Sequence, residues 1–132
     1  MSTGTNKALI HRVFDEAFNQ KNLAIIDEIF SPTFVDLSTP DQLQGPQGVK
    51  HYSTTIHTAF PDMHVSIEDL IAEGNKVAVR TIWQGTHTGE YEDIPPTGKQ
   101  VMRSMIQIFT IENGKIQEEW NEGVSLQEQI LQ

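Results

Sequence analysis

Near Met63 the spacing of apolar residues changes, and that change limits the chain to very few architectures. Before it, apolar residues recur every three or four positions, which lines one face of a helix. After it they alternate, which lines one face of a strand. Asn6 to Asn19 carries Ile10, Val13, Phe14 and Ala17 on one helical face. A shorter helical stretch, Leu23 to Phe30, stops at Ser31-Pro32, because the residue before a proline avoids the helical region. Phe34 to Leu37 has room for a brief strand. Gly45-Pro46 then opens a third helix, with Val49, Tyr52, Ser53, Ile56 and Phe60 along one side, ending before Pro61. Val65 and Ile67, Val77 to Trp83, Val101 to Ile111 and Ile116 to Glu122 follow as strands. Glu73-Gly74-Asn75 and Glu112-Asn113-Gly114 supply turn residues, so consecutive strands should pair as antiparallel hairpins. Helices first and strands after predicts an α+β fold with the helices on one face of a curved antiparallel sheet. The connection Gly89 to Lys99 is long and proline-rich, a pattern that suits a lid or a subunit contact.

Register decides which side chains meet. A three-residue turn at Glu112-Asn113-Gly114 pairs Gln107 with Glu119 and Met105 with Asn121, whereas a two-residue turn brings Glu118 and Trp120 inward instead. Setting Thr88 opposite Gln100 brings Trp83 against Met105 and Thr81 against Gln107. One face then runs from aliphatic at Ile111 to polar at Thr81, Trp83, Arg103, Gln107, Glu119 and Asn121. A helix-covered face that turns polar partway along is the sequence image of a pocket, since buried polar groups need partners or a ligand. The opposite face, with Met102, Ile106, Ile108, Arg80 and Ile82, is apolar enough to predict a homodimer.

Composition narrows the chemistry. The 132 residues make one domain's worth of chain, spanning 1–132, and 37% hydrophobic with 20% charged residues is an ordinary globular balance. A net charge of −9 disfavours nucleic acid and anionic membrane surfaces as partners. With no cysteine there is no disulfide, thiolate metal site or cysteine nucleophile. The polar N-terminus and the lack of a long apolar run point to a cytoplasmic protein. PPTGK ends like a phosphate-binding loop, but Asp93 stands where the first glycine is required. The five histidines lack metal-binding helical spacing, so no metal is expected. His57, beside the buried stripe of the third helix, is either a helix-edge residue or a proton carrier aimed at the polar end of the sheet. Asp62 reads as a turn carboxylate, and Trp83 and Trp120 as core or interface. Glu118, Glu119 and Glu122 are either solvated charge or, facing a half-apolar pocket, an acid with a raised pKa.

FPDMHVSIEDLIAEGNKVAVR, followed by GTHTGE, IPPTGK and IENGKIQEEW, resembles the SnoaL-like polyketide cyclase (ester cyclase) family of the nuclear-transport-factor-2-like superfamily. The likeness covers nearly the whole chain, including Asn19 and Gly45-Pro46. It implies a cone-shaped α+β barrel with an apolar pocket, commonly dimeric or tetrameric, working without metal or organic cofactor. Family cyclases close a polyketide ring by an intramolecular aldol step, with a pocket Asp as acid/base. Here the corresponding positions read Glu119-Trp120-Asn121 and Val124, and a further polar pair reads Asp36-Leu37. In a cyclase of this sequence Glu119 or His57 would take the place of that acid, because Asn121 hydrogen-bonds an enolate but carries no exchangeable acid proton. The expected enzyme is a cofactor-independent cyclase or isomerase acting on a small apolar carbonyl compound. In it Glu119 serves as acid/base, with His57 the other candidate for that role; Gln107, Asn121 and Arg103 polarise the oxygen, and Trp83 and Met105 contact the substrate. The alternative is a ligand-binding or assembly domain that kept the pocket and lost the acid.

Overall fold

The computed structural model describes residues 2–132. Helix α1 (Thr3–His11) starts at Ser2, whose hydroxyl accepts the Thr5 N–H at 3.0 Å, and runs on as a wider π-helical segment, Arg12–Asn19. A 3-10 turn, Leu23–Ile25, leads into the short α2 (Ile26–Ile29) and directly into β1 (Phe30–Asp36). Helix α3 (Gly45–Ala59) begins with Gly45 at φ +76° and Pro46 in its first turn, as the Gly-Pro signal requires. The strands β2 (His64–Glu73), β3 (Lys76–Thr86), β4 (Gln100–Glu112) and β5 (Lys115–Gly123) follow. A last helix, α4 (Leu126–Leu131), was not expected from the sequence.

The sheet has five strands in the order β1-β5-β4-β3-β2 and does not close on itself, so the expected barrel is an open sheet. Four of its strands are antiparallel hairpin neighbours, as the turn residues imply, but β1 joins β5 in parallel. Odd-numbered residues of β3 and β4 face the helices, where Val77, Val79, Trp83, Met105 and Phe109 join Ile10, Phe14, Phe18, Ile29 and Ile56 in one core. Phe14 meets Phe109 edge-on at 6.3 Å, which ties the π segment to the middle of the sheet.

Both predicted registers are corrected. Strands β3 and β4 slip by two residues, so that Trp83 faces Arg103 and Val77 faces Phe109. The β4–β5 turn uses two residues, Asn113 at φ +52° and Gly114 at φ +74°, with Glu112 opposite Lys115. Two consecutive positive φ angles are the tight hairpin geometry whose twist matches that of the strands. That turn alone would have sent Glu118 inward. A bulge restores the parity: Ile111 pairs with Ile116, but Thr110 pairs with Glu118, leaving Gln117 as the extra residue. Glu119 and Asn121 consequently face the helices, opposite Phe109 and Gln107.

The Gly89–Lys99 connection is fastened to the body rather than poised as a lid. Gly89 lies so close to Thr58 that a Cβ there would stand 2.0 Å from the Thr58 carbonyl oxygen, and both Thr88 and Gly89 donate to the Ala59 carbonyl. Buried His87 holds the returning chain through Nδ1, which accepts the Thr97 N–H at 3.2 Å. Asp62 is a structural turn carboxylate, accepting the N–H and hydroxyl of Thr86 at 2.7 and 2.8 Å.

At the free edge of β2, Asn19 acts as a substitute strand. Its amide donates to the Val65 carbonyl at 2.8 Å and accepts the Val65 N–H at 2.9 Å. Asn19→Ala leaves both groups of a buried residue unpaired, and should cost about 2 kcal/mol in urea unfolding.

Candidate functional site

The cavity is built between the π segment, α3 and the inner face of the sheet. A deep chamber of about 80 Å³ is walled by Phe14, Ala17, Phe18, Ile26, Phe30 and Phe109. It adjoins a wider one of about 260 Å³ walled by Asp36, Gln44, Arg103, Met105 and Asn121. Val49, Tyr52, Trp83, Gln107 and Glu119 line both, so the apolar and polar compartments share a wall. Of the residues expected at the site, Glu119, Trp83, Gln107, Arg103, Met105 and Asn121 are gathered here.

His57 is not. Its ring packs on Phe18 with centroids 4.4 Å apart, Nδ1 meets the Ser53 carbonyl at 2.9 Å, and it lines neither chamber. Burial lowers its pKa, outweighing the Ser53 hydrogen bond, which acts the other way. The helix edge that looked open in sequence is covered by the π segment.

A chain of hydrogen bonds runs across the sheet with every donor pointing the same way. Trp83 Nε1 donates to the Thr81 hydroxyl at 2.9 Å, and Thr81 donates to Gln107 Oε1 at 3.3 Å. Gln107 Nε2 donates to Glu119 Oε2 at 3.2 Å and to Asn121 Oδ1 at 2.9 Å. Asn121 Nδ2 donates to Asp36 Oδ2 at 3.0 Å, while the N–H and hydroxyl of Ser38 donate to Asp36 Oδ1 at 3.0 and 2.7 Å. Asp36 is the terminal acceptor of the chain. It was not singled out as a site residue from the sequence, although the family comparison drew attention to its position.

Parallel pairing of β1 with β5 sets Asp36 directly beside Glu119. Desolvation raises the Glu119 pKa from an ordinary 4.5 to about 8, and the Asp36 charge adds to the rise, while the neighbouring Gln107 and Asn121 amides oppose it. Glu119 is therefore a neutral acid at pH 7. Gln107 occupies Oε2, and Oε1 has no partner among the described residues, on a side chain that lines both chambers.

No group of three His, Cys, Asp or Glu side chains among the described residues has the arrangement needed to hold a metal ion. No described helix is long and apolar enough to cross a membrane.

An α+β fold with its helices over one face of a five-stranded sheet, and a cavity between them, is the NTF2-like class. Within it, the SnoaL-like polyketide cyclase profile matches residues 8–124, and the chain belongs to that family. TsrD of Streptomyces laurentii superposes with a TM-score of 0.88 at 23% identity, over 98% of this chain and 97% of its own. AclR of Streptomyces galilaeus, provisionally described as a hydroxylase, gives 0.81 at 27% identity over 92% and 80%. IdmH of Streptomyces antibioticus, provisionally described as a polyketide cyclase, gives 0.76 at 26% identity over 88% and 89%. No protein of curated function matches the sequence.

The raised pKa of Glu119 makes stability depend on pH. Between 4.5 and about 8 the unfolded chain has released this proton and the folded chain retains it, so stability falls as pH rises through that window. Urea unfolding of the wild type, compared with Glu119→Gln, should show a difference that grows with pH by up to about 1.4 kcal/mol per unit. It should level off above pH 8.

Proposed function

We propose that the protein is an acid–base enzyme acting on a small, largely apolar carbonyl compound, of the cyclase or isomerase type, with Glu119 as the proton donor and acceptor. One observation carries this: a neutral carboxyl group with an unpartnered oxygen, set in a cavity whose other wall is aromatic and aliphatic. A carboxylic acid kept protonated at neutral pH donates to a carbonyl oxygen as the α-carbon loses its proton to water. The carboxylate left behind then takes the hydroxyl proton back as that carbon bonds to a second carbonyl carbon, whose displaced electron pair goes to its oxygen and is protonated there by the water that took the α-proton. Because the acid supplies the proton directly, the reaction asks for neither a metal nor an organic cofactor.

The hydrogen-bond chain reassigns the supporting roles. Gln107 Nε2 already serves Glu119 and Asn121, and Asn121 Nδ2 serves Asp36 and Ser38. These amides position the acid, and the acid itself polarises the substrate oxygen. Trp83 and Met105 supply apolar walls.

The same satisfied amides support a second reading, a ligand-binding domain without turnover. Deuterium exchange at the α-carbon of an aryl ketone in D2O, followed by NMR, separates the two. Turnover predicts exchange that Glu119→Gln slows about 10²- to 10⁴-fold with no loss of melting temperature. It also predicts that exchange declines as pH rises past 8, where Glu119 ionises. Binding without Glu119-dependent exchange favours the second reading.

The outer face of the sheet supports a homodimer. Met102, Ile106, Ile108 and Trp120 alternate onto it and are between 40 and 63% exposed. Sedimentation should give twice 14.9 kDa for the wild type and a single chain mass for Ile106→Glu combined with Ile108→Glu.

A further inference from the structure

We propose that the substrate carries a carboxylate, and that Arg103 binds it at the opposite end of the cavity from Glu119. The inference rests on the acid–base reading above only for the position of the reacting carbonyl. Its own basis is a buried cation with no counter-ion.

Arg103 is 7% exposed and lines the wider chamber. Its partners are neutral: Nη2 donates to the Tyr52 hydroxyl at 2.7 Å, and Nη1 reaches the Val124 carbonyl at 3.5 Å. Nε is buried and unpartnered. None of the ion pairs found among the described residues includes it, although the chain holds 18 Asp and Glu against 9 Lys and Arg. A guanidinium withdrawn from water without an anion is costly, and one that faces a cavity gains its missing partner when an anion enters. The planar fork, with its five N–H groups, matches a carboxylate in two-point geometry.

The surroundings hold that fork in place. Arg103 stacks 4.4 Å from the centre of the Trp83 ring, which fixes the plane of the guanidinium and leaves its edge for hydrogen bonding. Trp83 is in turn held by Thr81, so the cation end and the acid end share one hydrogen-bonded wall. Arg103 pairs with Trp83, whereas Glu119 pairs with Phe109, six positions further along β4, so the two side chains enter the one chamber from different levels of the sheet. The charge acting on Glu119 is that of Asp36. A keto acid fits this polarity, with its carboxylate on Arg103 and its carbonyl turned to Glu119.

The test compares 4-(2-naphthyl)-4-oxobutanoate with its methyl ester by calorimetry at pH 6.5, where the acid is ionised and the ketone is the same in both. The wild type should bind the acid at least tenfold more tightly than the ester. In Arg103→Met that preference should fall below about twofold, with affinity for the ester retained, and Arg103→Lys should keep an intermediate preference. Equal binding of acid and ester by the wild type overturns the proposal, as does binding of neither, or a preference that survives Arg103→Met. The wild-type comparison decides even where a variant does not fold. Equal binding with Glu119-dependent α-carbon exchange defeats this inference and leaves the acid–base reading standing. A preference for the acid without such exchange does the reverse.

Discussion

Asp36 accepts three hydrogen bonds, from the Ser38 N–H, the Ser38 hydroxyl and Asn121 Nδ2, and it is the end of a donor chain that starts at the Trp83 indole. An amide turned the wrong way along that chain would oppose donor to donor or acceptor to acceptor. The carboxylate at its end therefore sets the orientation of Asn121, then of Gln107, and through Gln107 the edge of Glu119 that remains open to the cavity. Cooperative chains of this kind rigidify a site when every member is satisfied. Asp36 occupies its position because β1 runs parallel beside β5, a long-range pairing that connects the first third of the chain to its last strand.

That arrangement sets one carboxyl group against another in a desolvated place, which disfavours ionisation of the second. The fold loses stability at neutral pH by keeping Glu119 protonated, and the loss is concentrated where proton transfer is proposed. Stabilising the site would be easy in physical terms, since a glutamine at position 119 would keep the shape and remove the titration. Sites that store such a penalty are characteristic of function, because a group tuned to hold its proton near pH 7 is matched to transferring it.

Much of this was legible in the sequence, for reasons that differ by element. The change from helical to alternating spacing at Met63, and the Gly-Pro start of α3, follow from local geometry, which the sequence carries directly. The inward facing of Glu119 was also foreseen, but by a different route from the real one. A slip of two residues between β3 and β4 preserves which face a side chain occupies, and the bulge at Gln117 offsets the tighter turn, so the parity survived two wrong registers. Other features depend on contacts between distant segments. Parallel pairing of a short isolated strand leaves no local mark, so Asp36 could not be placed beside Glu119. Phe18 of the π segment lies over His57, and no periodicity within α3 reveals a neighbour on another element. Helix α4 did carry a signal: Ser125 and Glu128 stand at capping-box spacing, and the Ser125 hydroxyl accepts the Glu128 N–H at 3.3 Å.

The position of α4 bears on the cation end of the cavity. Strand β5 stops at Gly123, opposite Met105, so the first residues of β4 lose their strand partner on that side. Gln129 of α4 accepts the Met102 N–H at 3.0 Å and thereby pairs the exposed backbone, while Leu126 and Ile130 are buried. The turn between β5 and α4 carries the Val124 carbonyl to Arg103. An unbroken β5 would have covered this stretch with another strand and left no carbonyl turned toward the guanidinium. Ending the strand and capping it with a short helix keeps the backbone paired while Arg103 stays held in the wall of the cavity. The same stretch of β4 has Met102 on its outer face and Arg103 on its inner face, so the helix that closes the strand end supports both the apolar outer surface and the cation of the site.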